Sequence, residues 1–241
     1  MKLNKKKVFT LALAVCLIAI LSLSSLAWFN DSDSVINDFY VGDGEEDADD
    51  IFSVDIWEHV DSDGDGEPDL YVGKETDGGS YEYNEVVPGD MLYKAVNVTN
   101  TGSNAEWVRV SVTVDNASVW ETLETKYGFN LEDLLIRYDM TKLTESTMWT
   151  YAPGETVVDT DADTVTYVFY KNTTLGGGYW SNFIYHVEIP EELDQHDLAL
   201  FEGNLFSMSF KVDAIQVQNV EVDSTNDVCD AIEAFQFVAA N

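Results

Sequence analysis

The stretch from Ala105 to Val114 constrains the fold most. Val108, Val110, Val112 and Val114 alternate there with Trp107, Arg109, Ser111 and Thr113. Successive side chains of an extended chain point to opposite faces, so four β-branched residues share one side. Alternation of that length marks a strand with one face in a core. The same period recurs in Phe52, Val54 and Ile56, in Phe183, Tyr185, Val187 and Ile189, and in Phe206, Met208, Phe210, Val212 and Ala214. Further strands are expected at Leu70 to Val72, Tyr93 to Thr99 and Thr164 to Tyr170.

Turn chemistry separates these runs. Asp77-Gly78-Gly79-Ser80 and Pro88-Gly89-Asp90 are turns, and Asn100-Thr101-Gly102-Ser103 reads as a hairpin between Tyr93–Thr99 and Ala105–Val114. Two segments change period. Val119 to Met140 is expected to make a helical excursion over the end of a sheet, with Asn130 capping a short helix that carries Leu131, Leu134 and Leu135. Asp227 to Val238 places Val228, Ile232, Phe235 and Val238 at the spacing of an amphipathic helix. The sum is a mainly β protein, an antiparallel β-sandwich with short helical excursions.

The chain starts with Lys2, Lys5, Lys6 and Lys7, continues as an apolar run from Val8 to Leu21, and reaches Ser25-Leu26-Ala27. This is the form of an export signal with a small-x-small cleavage site, so residues 1–27 read as a signal peptide cut between Ala27 and Trp28. Residues 28–241 then form a single domain, secreted to the extracellular space or the cell-surface matrix. An uncleaved anchor is the alternative. No second apolar run follows, so nothing else holds the processed chain in a membrane. The formal charge is -33. The leader carries four lysines and no acid, so processing makes the chain more negative still. Such a surface repels nucleic acid and anionic lipid and suits divalent cations. Cys16 lies in the leader without the small preceding residue that lipidation uses, and Cys229 is the single cysteine after it, so no intramolecular disulfide forms.

Around the cleavage site the sequence resembles a family. Trp28-Phe29-Asn30-Asp31 gives an aromatic-Phe-Asn-Asp tetrad, followed by Asn37, Phe39 and Gly42. Val87-Pro88-Gly89-Asp90, the strand after it with Asn100-Thr101-Gly102-Ser103, and Phe210-Lys211-Val212-Asp213-Ala214-Ile215-Gln216 follow in order. The pattern resembles the TasA/camelysin family of secreted biofilm-matrix fibre proteins. The resemblance implies processing by a SipW-type signal peptidase and a jelly-roll-like sandwich. It also implies head-to-tail self-assembly into a homopolymer, in which the N-terminal segment of one subunit completes the sheet of the next. Residues 28–40 would be the donor strand, with Trp28 and Phe29 as anchors and Val35, Ile36 and Phe39 as further apolar contacts. The same segment could instead be the edge strand of its own molecule.

The sharpest local motif is Asp61-Ser62-Asp63-Gly64-Asp65-Gly66-Glu67-Pro68-Asp69. Hard cations take oxygen ligands, and alternate carboxylates on a tight loop supply them. Asp61, Asp63 and Asp65 match the first, third and fifth positions of a calcium loop, with Glu67 offering a carbonyl and Asp69 the ninth-position ligand. Val72 stands where an EF-hand has Glu, and no helices flank the loop. A structural calcium site and a plain acidic turn both fit. Asp159-Thr160-Asp161-Ala162-Asp163 repeats the spacing without glycine and reads as a solvated turn.

His59, His186 and His196 form no His-Glu-x-x-His pair, and no nucleophile with a matched base stands out, so an enzyme is not expected. Relatives of the camelysin type are metallopeptidases, which keeps that activity as a reading by resemblance alone. Two functional classes follow. One is a fibre or matrix subunit built by β-strand addition. The other is a monomeric, calcium-stabilised cell-surface adhesion module, its six tryptophans and twelve tyrosines offering stacking faces to a polysaccharide or host protein.

Overall fold

The computed structural model describes residues 30–35, 53–66, 68–72, 81, 83, 86–132, 148–201, 207–218, 220, 222–223 and 229–240. Its strands are β1 (Asn30–Val35), β2 (Val54–Val60), β3 (Leu70–Val72), β4 (Met91–Asn100), β5 (Glu106–Asp115), β6 (Trp149–Tyr151), β7 (Val157–Asp159), β8 (Thr164–Lys171), β9 (Trp180–Glu188) and β10 (Met208–Gln216). The helices are α1 (Ala117–Tyr127), α2 (Gln195–Leu198) and α3 (Asp230–Ala240).

The strands form two antiparallel sheets, as the alternating pattern predicts. One runs β1-β10-β5-β8-β6, with β7 also on β8; the other runs β3-β2-β4-β9. The core lies between them. Val108, Val110, Val112 and Val114 of β5, Phe210 and Val212 of β10, and Tyr167 and Phe169 of β8 share it with Ile56 and Val60 of β2, Val96 and Val98 of β4, and Phe183 and Val187 of β9. The valines expected on the inner face of β5 are all fully buried.

The Asn100–Ser103 turn departs from expectation. It is an arch between the two sheets, not a hairpin within one: β4 pairs with β2 and β9, and β5 pairs with β10 and β8. The amide of Asn100, buried at the foot of the arch, donates to the carbonyls of Asn104 (2.6 Å) and Leu175 (2.9 Å). Thr101 N and Gly102 N donate to Ser53 O. These bonds turn the chain out of the plane of β4. A Cβ on Gly177 would lie 2.4 Å from Ser103 O, so only glycine lets the 175–178 segment close over the arch.

The outer face of β5 differs too. Trp107 is buried beneath α3, in a second cluster with Tyr170, Ile215, Ala231, Ala234 and Phe235. Arg109 pairs with Asp213 at 2.9 Å and lies 4.7 Å from the centre of the Phe235 ring. The amphipathic C-terminal helix thus covers one sheet from outside. In β9, Phe183, Val187 and Ile189 face the core as expected. Tyr185 instead packs edge-on to Tyr93 where the β4–β9 register shifts, and Ile184 is buried.

The helical excursion begins earlier than Asn130. Ala117 starts α1 after Asn116 in the left-handed region, and Gly128 (φ 79°) ends it by donating to Glu124 O. Trp120 and Leu123 enter the core from this helix, Trp120 with its ring centre 5.1 Å from that of Phe201. A second helical turn starts at Leu131; Leu134 and Leu135 lie outside the described residues. So do Phe52, Phe206 and Val228. No helix among the described residues is long and apolar enough to cross a membrane.

Candidate functional site

Two regions carry the sequence-predicted site residues: the 61–69 loop and the edge formed by β1. The loop joins β2 to β3, which pair antiparallel with Val60 opposite Leu70. It is folded by its own carboxylates. Asp61 accepts from Gly64 N through Oδ1 and from Gly66 N through Oδ2, both at 2.7 Å. Asp63 accepts from Asp65 N at 3.3 Å. Gly64 (φ 80°) and Gly66 (φ 88°) take the left-handed turns that let the loop wrap around Asp61.

These turns bring Asp61, Asp63 and Asp65 together, each with a carboxylate oxygen within 4.8 Å of the others. Among the described residues this is the only grouping of three metal-capable side chains. Asp69 is used otherwise: its two oxygens accept from Ser62 N and Ser62 Oγ, each at 2.8 Å, and tie the two ends of the loop. Tyr81 donates its hydroxyl to Ser62 O. Glu67 lies outside the described residues.

Partial desolvation opposes ionisation of Asp61, but the amides of Gly66, Gly64, Asp65 and Asp63 outweigh it and hold the carboxyl below its ordinary value. Ser62 does the same for Asp69, first through its backbone amide and then through its hydroxyl. The loop's own amides, with the Ser62 hydroxyl, therefore favour the ionised forms of Asp61 and Asp69. Beside it, His59 stacks on Tyr71 with ring centres 4.1 Å apart. Burial lowers the His59 pKa, partly offset by the charge of Asp69 and a backbone hydrogen bond with Pro68.

The Asp159–Asp163 segment is a turn. Asp159 accepts from the amides of Asp161 and Ala162, and Asp163 accepts from Ser118 N (2.8 Å) and Ser118 Oγ (3.1 Å) at the start of α1. Asp163 thus works as a helix cap supplied from the distant β7–β8 turn, which sequence spacing alone does not signal. His196 lies on α2, exposed.

The second region is the edge of the larger sheet. β1 pairs antiparallel with β10 over its whole length, from Asn30 opposite Ile215 to Val35 opposite Phe210. Residues 30–35 of the segment expected to be a donor strand are thus seated in the structure as an edge strand of their own molecule. Ala27, Trp28, Phe29, Ile36 and Phe39 lie outside the described residues. Comparison with protein-family models, with curated proteins and with solved structures gave no match.

Proposed function

We propose that the chain is a secreted subunit of an extracellular matrix or biofilm fibre, of the TasA/camelysin type, in which the 30–35 segment of one copy pairs with β10 of the next. The observation that carries this reading is the β1–β10 pairing at the sheet edge. Asn-Asp-Ser-Asp-Ser-Val holds a single large apolar residue, so main-chain hydrogen bonds dominate what the strand gains by joining the sheet. Main-chain bonds are the same whichever copy supplies the strand. Exchange between copies keeps all six register positions of β1, and a head-to-tail contact that does not close grows into a filament. Removal of the leader by a SipW-type peptidase would free the end that makes the exchange. Deleting residues 28–39 and imaging the protein by negative-stain electron microscopy tests this: filaments from the full mature chain and none from the truncated one are expected.

A second reading is a calcium-stabilised adhesion module, and one observation favours it. Tyr179 and Trp180, at the start of the edge strand β9, are 71% and 61% exposed, as stacking platforms for a glycan would be. Glycan-array binding by a chain that stays single separates this reading from the first. In both, calcium on Asp61, Asp63 and Asp65 would tighten the β2–β3 loop. Isothermal titration should give calcium heats with the native chain that Asp63→Ala removes.

A further inference from the structure

Neither reading uses a charged pair inside the sandwich. Val60 stands opposite Lys94 and Glu58 opposite Val96, so Glu58 and Lys94 are diagonal neighbours on the inner faces of β2 and β4. Lys94 Nζ touches Glu58 Oε2, and their side chains are 9% and 2% exposed. The Nζ also lies 5.5 Å from the centre of the Phe210 ring on the facing sheet. Glu58 Oε1 is buried and has no hydrogen-bond partner. Ile56, Val60, Val96 and Val98 surround the pair on the same strands, all fully or almost fully buried. Tyr83, whose hydroxyl donates to Tyr93 O, is pushed strongly upward in pKa by desolvation and then by the charge of Glu58, as expected of a hydroxyl in a dry site.

As an ion pair this arrangement is a poor source of stability. Desolvating two charges offsets most of their attraction, and a carboxylate oxygen without a donor adds a further cost. The placement is also expensive in cations: the chain has 12 Lys and Arg against 45 acids, and Lys94 is one of two lysines buried among the described residues. As reactants the groups are well placed. An amine and a carboxyl are held in contact, fixed by strand pairing, and kept from bulk water.

We propose that Lys94 and Glu58 condense to an amide that staples β2 to β4. The proton of the ammonium passes to the carboxylate, leaving a neutral amine and a carboxylic acid. The Nζ lone pair attacks Cδ, and the C–N bond forms as the carbonyl opens. The carboxyl hydroxyl then leaves with a second proton from Nζ as one water, restoring the carbonyl. Nothing is oxidised or reduced and no co-reactant is consumed. The product replaces two buried ions by one neutral amide, which a low-dielectric core favours. It also gives a covalent cross-strand link to a chain whose Cys229 is free.

The proposal stands apart from fibre assembly, and its test needs no filaments. The full chain is denatured, its N-terminus read by sequencing, and its intact mass measured. The expected mass is one water below that of the sequence. A tryptic digest should contain one branched peptide joining the segment of Glu58 to that of Lys94, uncut after Lys94. Lys94→Met should restore the full mass. A native chain at full sequence mass overturns the proposal. So does a branch at another pair, or a Lys94→Met chain that still lacks one water.

Discussion

β5 and β1 belong to the same sheet, one strand apart, and are held there by different physics. β5 lies between β10 and β8 and sends four fully buried valines into the core. Among the described residues β1 lies at the edge with β10 as its one partner, and it is built from Asn, Asp and Ser with a single valine. Burying a valine contributes about 1.5–3 kcal/mol, whereas a backbone hydrogen bond nets only about 1 kcal/mol against water. β5 is thus fixed by what it buries. β1 is fixed by bonds that any similar strand in that place would make. The difference teaches that an element can be in register without being committed to its own molecule.

The largest effect should come from attacking β5. Val110→Asp puts an unpaired charge between the sheets and should cost more than about 4 kcal/mol, enough to abolish a cooperative thermal transition followed by circular dichroism. The next contrast is kinetic. Amide hydrogen exchange should be at least about a hundredfold faster at 30–35 than at 107–114, because an edge strand opens without the core. Equal protection in both would mean that β1 is committed to its own sheet.

A smaller loss should follow Asn100→Ala. It removes the two side-chain hydrogen bonds at the sheet-to-sheet arch and should lower stability by about 1–3 kcal/mol in a urea titration; Asn104 O loses this donor, while Leu175 O keeps the backbone N–H of Glu106. The smallest effect is confined to acid. Lys126, then Tyr127, then the amide of Asp194 hold the Asp197 carboxyl down at about 2, from an ordinary 3.8. A depressed carboxyl stabilises the fold fully above its ordinary value and loses that contribution as pH falls through about 2. Asp197→Asn should therefore lower the melting temperature at neutral pH and converge with the native chain below about pH 2, as differential scanning fluorimetry would show.

The same contrast explains what the sequence makes legible. Faces are readable wherever a strand is fixed by burial: the valines of β5 and Met208, Phe210, Val212 and Ala214 of β10 follow the period of two, whereas β9 breaks it at Ile184 and Tyr185, where its register on β4 shifts. Pairing partners are not, because alternation reports which side of a strand is buried and not which strand lies beside it. Asn100-Thr101-Gly102-Ser103 carries hairpin chemistry, yet the bonds of Asn100 and Ser53 turn it into an arch between sheets. The close approach that requires Gly177 spans residues far apart in the chain, so no local signal marks it. The acidic loop is half legible. Spacing singles out Asp61, Asp63 and Asp65, but it also assigns Asp69 to the metal, where Ser62 takes both of its oxygens. The Lys94–Glu58 pair is not legible, because a charge on the alternating face of β2 or β4 does not say which residue of the neighbouring strand it meets.

Whether β1 belongs to its own molecule or to a neighbour is the question on which the functional account rests. Electron microscopy of the purified mature chain beside the chain lacking 28–39 addresses it most directly. The account predicts filaments from the first and dispersed particles from the second. Dispersed particles from both, at concentrations where a fibre subunit would assemble, would contradict it.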